Sequence, residues 1–317
     1  MTTAVGLDIG GSKARAVRLD DRELVAEATF AMDQGPADLS KAAIDAVRRV
    51  WAEGVEAVGV GVAGMVDWQS GMFVWGPHVT GTNVALRADL EHAFGVPVVV
   101  DNDANAAAFG ELQLGAGQGY DNVLLVTLGT GIGGALVIDG SVYRGTSFAG
   151  EIGHMLYDQG GIQCDCGKRG CWETVASGPA LRRLGKASIA QNPDSSFANR
   201  LSAATVTGED VTGAADAGDE TARSLVAQVG VEFGRGLCSL IAMFDPEVVI
   251  VGGGLGSVGE SLLGPARRVA ADAVHGGSHR MLPPILVAGL GPSAGAVGAA
   301  LLGADLAACR LSQAAGQ

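Results

Sequence analysis

One local pattern occurs twice in this 317-residue chain: an apolar strand, a glycine turn, and a second apolar strand. Residues 3–8 run Thr-Ala-Val-Gly-Leu-Asp into Gly10-Gly11-Ser12, and Ala14–Leu19 and Leu24–Phe30 read as further strands. Far down the chain the pattern restarts. Val123–Thr127 reads as a strand, Gly129–Gly134 as a glycine turn, and Ala135–Ile138 as a strand again. Such a restart predicts a duplicated α/β unit, folded as two lobes with a cleft between them. Glycine turns are common, so the repetition alone leaves that open. Length points the same way, because single cores stop growing at roughly 250–300 residues. The small lobe is expected to take residues 1–112 and 299–317, and the large lobe residues 113–298.

The remaining pattern fits alternating strands and helices. Residues from Ser40 to about Glu53 place Ala43, Val47, Val50 and Trp51 on one helical face. Ala57–Val62 reads as a buried strand ending at Ala63-Gly64. Val98–Val100 is a short strand running into Asp101-Asn102-Asp103, followed by an Ala-rich helix over Ala104–Leu112. A long helix is predicted from about Thr221 to Phe244. In it Leu225, Val229, Phe233, Leu237 and Ile241 recur every four residues, Gly230, Gly234 and Gly236 permit close packing, and Asp245-Pro246 stops the run. Val248–Val251, a helix from about Ser257, a strand over Ile285–Leu290 and a helix from Gly295 to about Ala308 complete the chain. The Ser/Asn/Asp/Thr-rich stretch Asn192–Asp210 is the least ordered-looking. Glycine supplies 50 residues, against a usual share of about 7%. These gather in turns between apolar strands, a device for bringing backbone N–H groups close to phosphate.

Three of the five cysteines fall within eight residues, in Glu151-Ile-Gly-His154 … Cys164-Asp-Cys166-Gly-Lys-Arg-Gly-Cys171-Trp-Glu173. One imidazole and three thiols form the ligand set of a closed, structural zinc site. A disulfide framework belongs to small secreted chains, and the count here is odd. A redox site would be expected to carry C-x-x-C, which is missing. Cys238 and Cys309 lie in apolar helical surroundings and read as core thiols. Glu151 and Glu173 flank the metal ligands as if the metal served to aim them. The net charge of −13, with no Lys/Arg run, argues against a nucleic-acid surface. The opening MTTAVGLDIGG lacks the pattern of a signal peptide, and no apolar run reaches the length of a bilayer span. A cytoplasmic protein without nucleic-acid or membrane partners is expected.

Among candidate chemical groups, Asp103 follows a strand at the edge of a helix. It could be a general base for a substrate hydroxyl or a plain helix cap, in which case Asn105 would be ordinary surface. Gly10-Gly11-Ser12 and Gly129-Thr130-Gly131 expose N–H groups and hydroxyls suited to phosphate, and Lys13 adds a point charge. Neither is a Walker A loop. The letters G-x-G-x-x-G occur at Gly59–Gly64 and Gly129–Gly134, but neither leads from a strand into a helix as a dinucleotide site requires. Gly252, Gly253 and Gly254 could let a ring or ribose lie on bare backbone, or could simply start a helix at positive φ.

The order of these motifs decides among them. Asp8-Ile-Gly-Gly-Ser, Val-Asp-Asn-Asp103-Ala-Asn, Thr-Leu-Gly-Thr-Gly-Ile-Gly-Gly134, Glu151-Ile-Gly-His154, Cys-x-Cys-x4-Cys-Trp-Glu173 and Asp-Pro-Glu-Val-Val-Ile-Val-Gly-Gly-Gly254 resemble the ROK family of bacterial sugar kinases and related repressors. The resemblance runs from about residue 4 to about residue 305. It implies the two-lobed α/β actin/hexokinase-like fold and ATP-dependent phosphorylation of a hexose at its 6-hydroxyl, with glucose the leading substrate. It implies that Asp103, in the small lobe, is the base. Gly64, His78, Asn102, Asp103, Glu151, His154 and Glu173 would touch the sugar, and His154, Cys164, Cys166 and Cys171 would hold structural Zn²⁺. His154 would put one ring nitrogen on zinc and the other toward the sugar. Gly10, Gly11, Ser12, Lys13, Gly129, Thr130 and Gly131 would cradle phosphate, Asp8 would order Mg²⁺ through water, and Gly252, Gly253 and Gly254 would wall the adenosine. A homodimer or homotetramer is implied.

The chain departs from the family pattern in Trp75-Gly-Pro77-His78-Val-Thr-Gly81-Thr-Asn83. His78 stands where Asn is expected to touch the sugar, and Gly81 where Trp is expected. This leaves open N-acetylglucosamine, N-acetylmannosamine, fructose or a sugar-like cyclitol as acceptor. Polyphosphate-using relatives generally lack the cysteine motif, which favours ATP as donor. A sugar-sensing regulator is the rival from another class. Such relatives carry a helix-turn-helix domain before the first glycine turn, and here the first strand begins near Thr3.

Overall fold

The computed structural model describes residues 2–11, 13–32 and 38–315, with side chains described through residue 309. The phosphate-cradle candidate Ser12 lies outside the described residues. Compact packing divides the chain into two units, one of residues 1–125, 135–150 and 289–317, the other of residues 126–134 and 151–288. The first unit therefore holds residues 113–125, 135–150 and 289–298 as well as those expected of the small lobe.

The first unit contains β1 (Thr3–Ile9), β2 (Lys13–Asp20), β3 (Glu23–Ala31), α1 (Leu39–Arg48), β4 (Ala57–Val62), β5 (Met65–Asp67), β6 (Met72–Trp75), α2 (Leu86–Phe94), β7 (Val98–Asn102) and α3 (Asp103–Leu114). Its sheet has the order β3-β2-β1-β4-β7. The first three strands pair antiparallel, and β4 and β7 join parallel to β1. The chain continues through β8 (Val123–Leu128), β9 (Ile132–Ile138), β10 (Ser141–Tyr143), α4 (Gly178–Gln191), α5 (Ser196–Arg200), α6 (Gly208–Asp216), α7 (Glu220–Phe244), β11 (Val248–Gly252), α8 (Gly253–Gly256), α9 (Glu260–Ala273), β12 (Ile285–Val287) and α10 (Ala294–Ala315). The second sheet has the order β10-β9-β8-β11-β12. In both sheets a strand–turn–strand–strand meander is followed by two strands laid beside its first member, so the duplication read from the two glycine turns is present in the topology.

Several elements differ in extent from the expectation. The helix expected to reach Glu53 ends at Arg48, yet Val50 and Trp51 still join the core from the turn beyond it. Apolar spacing therefore outlasts the helix. Gly129–Gly134 is a turn only to Gly131, because Ile132 already opens β9. The helix expected from Ser257 begins at Glu260, after a single turn of α8 and a left-handed Gly259 at φ 72°. The last strand stops at Val287. The polar stretch Asn192–Asp210 holds α5 and the start of α6, each capped by a hydroxyl, Ser195 and Thr207 respectively.

Many glycines serve packing rather than turns. In the first unit α10 lies directly on β1 and β4. A Cβ on Gly6 would fall 1.9 Å from the Ala296 carbonyl oxygen, and one on Gly59 would fall 1.7 Å from that of Ala299. In the second unit α7 packs on α9 through Gly230 and Gly234, where a Cβ would meet Leu262 O at 2.3 Å and Ala266 Cα at 2.8 Å. Both α7 and α10 have the length and apolarity of a bilayer span, although no unbroken apolar run does. Both are core helices, α7 with a buried Val, Phe, Leu and Ile face and α10 with a buried Ala, Val and Leu face.

Candidate functional site

Asp8, Gly10, Gly11, Gly64, Asn102 and Asp103 sit at the C-terminal ends of β1, β4 and β7, Lys13 opens β2, and His78 follows β6. Asn102 ends β7 with extended backbone, and its Oδ1 accepts the N–H groups of Ala104 (2.8 Å) and Asn105 (3.2 Å). The helix cap is thus Asn102, and Asp103 is the first helical residue. The Asn102 Nδ2 donates to the Gly64 carbonyl (3.1 Å), tying β7 to the end of β4. With its oxygen committed to the helix, Asn102 can offer a ligand only a donor. Gly64 has φ 131°, and a Cβ there would lie 2.7 Å from the Trp75 carbonyl oxygen, so glycine is required.

The first glycine turn is closed by Gly10 N–H to Lys13 O (2.9 Å). A Cβ on Gly11 would fall 2.6 Å from that of His78, so this turn and the His78 loop are in backbone contact. Gly10, Gly11, His78, Val79 and Thr80 line a small pocket together with Met32, Leu39 and Ala42. Lys13 is exposed. The Asp8 carboxylate lies against the start of α10, where a Cβ on Gly295 would meet it at 2.6 Å. Burial, then the like charge of Asp103, push the Asp8 carboxyl up to about 7 against the opposing pull of Arg15.

A buried network supports this end of β7, and it was missed from the sequence. Asp101 is 2% exposed. Its Oδ1 accepts Asn102 N–H and Asn105 Nδ2, both at 2.8 Å, and its Oδ2 accepts Arg144 Nε at 2.7 Å. Asn105, expected at the surface if Asp103 were the cap, is buried. The signal was there, because a charged residue closing the apolar run Val98-Val-Val requires a partner.

In the second unit the turn Gly129-Thr130-Gly131 is closed by Gly129 N–H to Gly131 O (3.0 Å). Gly178 N–H, at the start of α4, donates to Gly129 O (2.9 Å). A Cβ on Gly131 would lie 2.4 Å from Glu173 Oε2, so a side chain there would displace that carboxylate. Gly253 has φ 81°, as a helix start at positive φ predicts, and a Cβ there would fall 2.3 Å from Leu128 O. Gly254 faces open space.

The four sulfur and nitrogen candidates converge, with the ligand atoms of His154, Cys164, Cys166 and Cys171 all within 4.8 Å of one another. Cys166 Sγ and Cys171 Sγ are 3.6 Å apart, and Cys164 Sγ and His154 Nδ1 are 3.8 Å apart. A tetrahedron with metal–sulfur bonds of about 2.3 Å has edges of about 3.8 Å, so the donor set and its spacing fit zinc. Burial pushes the Cys164 and Cys171 thiols up. Cys166 is held below the ordinary thiol range: burial opposes this, but the N–H of Lys168 and the two neighbouring thiols outweigh it. His154 turns Nδ1 toward the cluster, and its Nε2 lies 4.0 Å from Glu151. Glu173 bridges two features: Oε2 accepts Ile132 N–H at the end of the glycine turn (3.3 Å), and Oε1 accepts the Cys164 thiol (2.9 Å). Burial, followed by the charge of Glu173, raises the Glu151 carboxyl, while His154 pulls it down.

Beneath this loop Trp172 is fully buried. It stacks on Phe233 and donates to Glu232 O (3.0 Å). Gly236 leaves it room, since a Cβ there would fall 2.1 Å from the indole.

Two five-stranded mixed sheets, glycine turns after their first strands, a strand-end aspartate and a Cys₃His cluster define an α/β protein of the sugar-kinase superfold. The ROK family profile matches residues 4–305, and the chain belongs to that family. A glucokinase of Streptomyces coelicolor is 36% identical, aligned over 95% of this chain and 97% of its own length. The crystal structure of a ROK family glucokinase from Streptomyces griseus with glucose and AMPPNP superposes with a TM-score of 0.85 at 36% identity, covering 95% of this chain and 99% of that one. A ROK family transcriptional regulator, a homologue of the Escherichia coli Mlc protein, gives a TM-score of 0.82 at 27% identity over 95% of this chain and 77% of that one.

Proposed function

We propose that this chain is an ATP-dependent glucokinase, transferring the γ-phosphoryl group to the 6-hydroxyl of glucose. The observation that carries the reading is the placement of Asp103: Asn102 caps the helix, so the adjoining carboxylate is not spent as the cap. Asp103 takes the proton of the attacking hydroxyl, and the N–H groups of the two glycine turns receive phosphate oxygens. Asp8 would hold Mg²⁺, which would supply positive charge to offset that of the transferring phosphate. In the second unit Glu151, His154 Nε2 and the remaining capacity of Glu173 serve as partners for sugar hydroxyls, and Gly252–Gly254 serve as the adenosine wall. His154, Cys164, Cys166 and Cys171 would hold zinc, which would fix the orientation of the imidazole. It is proposed to act in the cytoplasm and to assemble as a homodimer or homotetramer, the assembly being decided by light scattering.

His78, exposed beside the first glycine turn, is the residue proposed to shape acceptor choice. The test is ADP release across glucose, mannose, fructose, N-acetylglucosamine and N-acetylmannosamine. Glucose is expected to give the highest kcat/KM, and a clear preference for another sugar reassigns the acceptor. Asp103→Asn is expected to lower kcat by about 10²–10⁴-fold with glucose binding retained by calorimetry. Near-normal turnover would remove Asp103 as the base. A sensor of the regulator class would bind sugar and show no turnover in the same assay.

A further inference from the structure

We propose that Arg144 is a positioning residue for phosphoryl transfer, acting through the buried carboxylate of Asp101 to hold the turn that aims Asp103. The proposal rests on the reading of Asp103 as the base. Asp101 closes β7 with almost no exposure, and each of its oxygens is used. Oδ1 accepts the N–H of Asn102 and the side chain of Asn105, which lie on either side of Asp103. Oδ2 accepts Arg144 Nε at 2.7 Å. The backbone conformation that presents Asp103 is thus fixed by one carboxylate, and the charge opposite that carboxylate comes from a residue 43 positions away.

Arg144 is itself held from three directions. Its guanidinium lies over the Trp68 ring at 4.9 Å. Its Nη1 donates to Val142 O (3.2 Å), and its own carbonyl accepts the N–H groups of Ser147 and Ala149. Ser147, in a left-handed conformation at φ 111°, donates its hydroxyl to Asp67 Oδ1 at 3.1 Å. A non-glycine residue in that region is strained and persists where its surroundings fix it. The 144–149 loop is therefore clamped onto the first unit at Asp101, Trp68 and Asp67.

Removing the guanidinium alone would leave Asp101 as a buried charge without its cation. Such a group takes up a proton or turns outward, and either change alters what it can accept. The Asn102 N–H and Asn105 amide would then lose their anchor, and the turn between β7 and α3 would loosen around Asp103. Removing charge from both members avoids the buried lone ion. The Asn side chain at 101 can still accept those two N–H groups.

The experiment compares the unmodified chain with Arg144→Met, Arg144→Lys and the double variant Asp101→Asn/Arg144→Met. Glucose-dependent ADP release and backbone hydrogen exchange of the 101–106 segment are measured together. Arg144→Met is expected to lower kcat about 10- to 100-fold, the cost of a misplacement of about an ångström. The KM for glucose is expected to change less than about threefold, as befits an interaction felt in the transition state. Exchange should quicken in the 101–106 segment ahead of the rest of the first unit. Arg144→Lys should recover part of kcat, and the double variant more of it. A merely structural arginine would lower the melting temperature while leaving kcat and local exchange unchanged, and that result overturns the proposal. So does a double variant no better than Arg144→Met. Should Arg144→Met fail to fold, the lysine and double variants carry the same comparison. An unmodified chain without glucose turnover refutes the proposed activity, and the exchange measurement then decides separately whether Arg144 holds the turn.

Discussion

Asp8 shows how a single side chain stores a conflict that the fold tolerates. Its carboxyl keeps a proton up to about 7 in the folded chain, against an ordinary value of 3.8, because burial and Asp103 both disfavour the anion. The folded state therefore binds a proton that the unfolded chain releases. Asp8 favours the folded state most below about pH 4, and that contribution is lost as pH rises toward 7. Asp8→Asn is expected to stabilise the metal-free protein near neutral pH and to flatten its stability between about pH 4 and pH 7. Thermal melts across that range check it, and parallel curves for the two proteins would remove Asp8 from the account. Glu111 is the opposite case, a fully buried carboxylate that is satisfied. It accepts the N–H groups of Ala116, Gly289 and Leu290, each at 2.8 Å, fastening the chain that leads into α10. An amide in its place would turn a donor toward donors. Glu111→Gln is expected to cost about 3 kcal/mol or more, read from urea midpoints. A loss under about 1 kcal/mol would show that the three contacts are not what holds this junction.

At the level of elements, backbone contact decides where glycine is used. The strands β1 and β4 accept α10 at a distance that leaves no room for a methyl group at Gly6 or Gly59. Gly59→Ala is expected to destabilise by about 1–3 kcal/mol, the usual cost of overpacking. Gly213→Ala, at an exposed position of α6 with nothing within 4 Å of an added Cβ, should stabilise by about 0.5–1 kcal/mol. Equal effects at the two sites would mean that intrinsic helix or strand preference, not packing, governs both. This is also where the sequence reading was weakest. The 25-residue α7 was legible because its apolar residues recur on one face. The fully buried β4 was legible because all six residues are small and apolar. The short α2 and the hairpin of β5 and β6 were not, since neither carries a long periodic stretch. The convergence of His154 with the three cysteines was legible because these residues are close in sequence. The Asp101–Arg144 pair, set by topology rather than spacing, was not, so nothing in the sequence placed Asn105 in a buried network. Asp103 was legible as a candidate but not as a first helical residue, because Asn102 and Asp103 are both good caps and only the backbone distinguishes them.

For the molecule as a whole, the Cys₃His cluster is the feature whose removal reaches furthest within its unit. Its loop runs from His154 to Cys171 and leads straight into Trp172, the largest fully buried side chain. Glu173 then connects the cluster to the second glycine turn through Cys164 and Ile132. Three thiols this close cannot all ionise without a cation, and burial pushes Cys164 and Cys171 up, so without metal the cluster is held only by contacts among the thiols and by Glu173. With zinc, the binding free energy becomes folding free energy for the unit. Metal analysis of protein purified without chelator is therefore expected to find one zinc per chain. Cys166→Ser, or a strong chelator acting on the unmodified chain, should remove it. A loss of about 3 kcal/mol would lower the unit's melting temperature by roughly 6–12 °C. Glucose affinity should fall in parallel, because Glu151, His154 and Glu173 all lie on or beside the loop that the metal would organise. The chelator should have no further effect on Cys166→Ser, which separates metal removal from any other action of the reagent. Metal-free protein with the melting temperature and glucose affinity of the untreated chain would mean that the four ligands hold their positions by packing alone, and that Glu173, through Ile132 and Cys164, is the anchor of the loop instead.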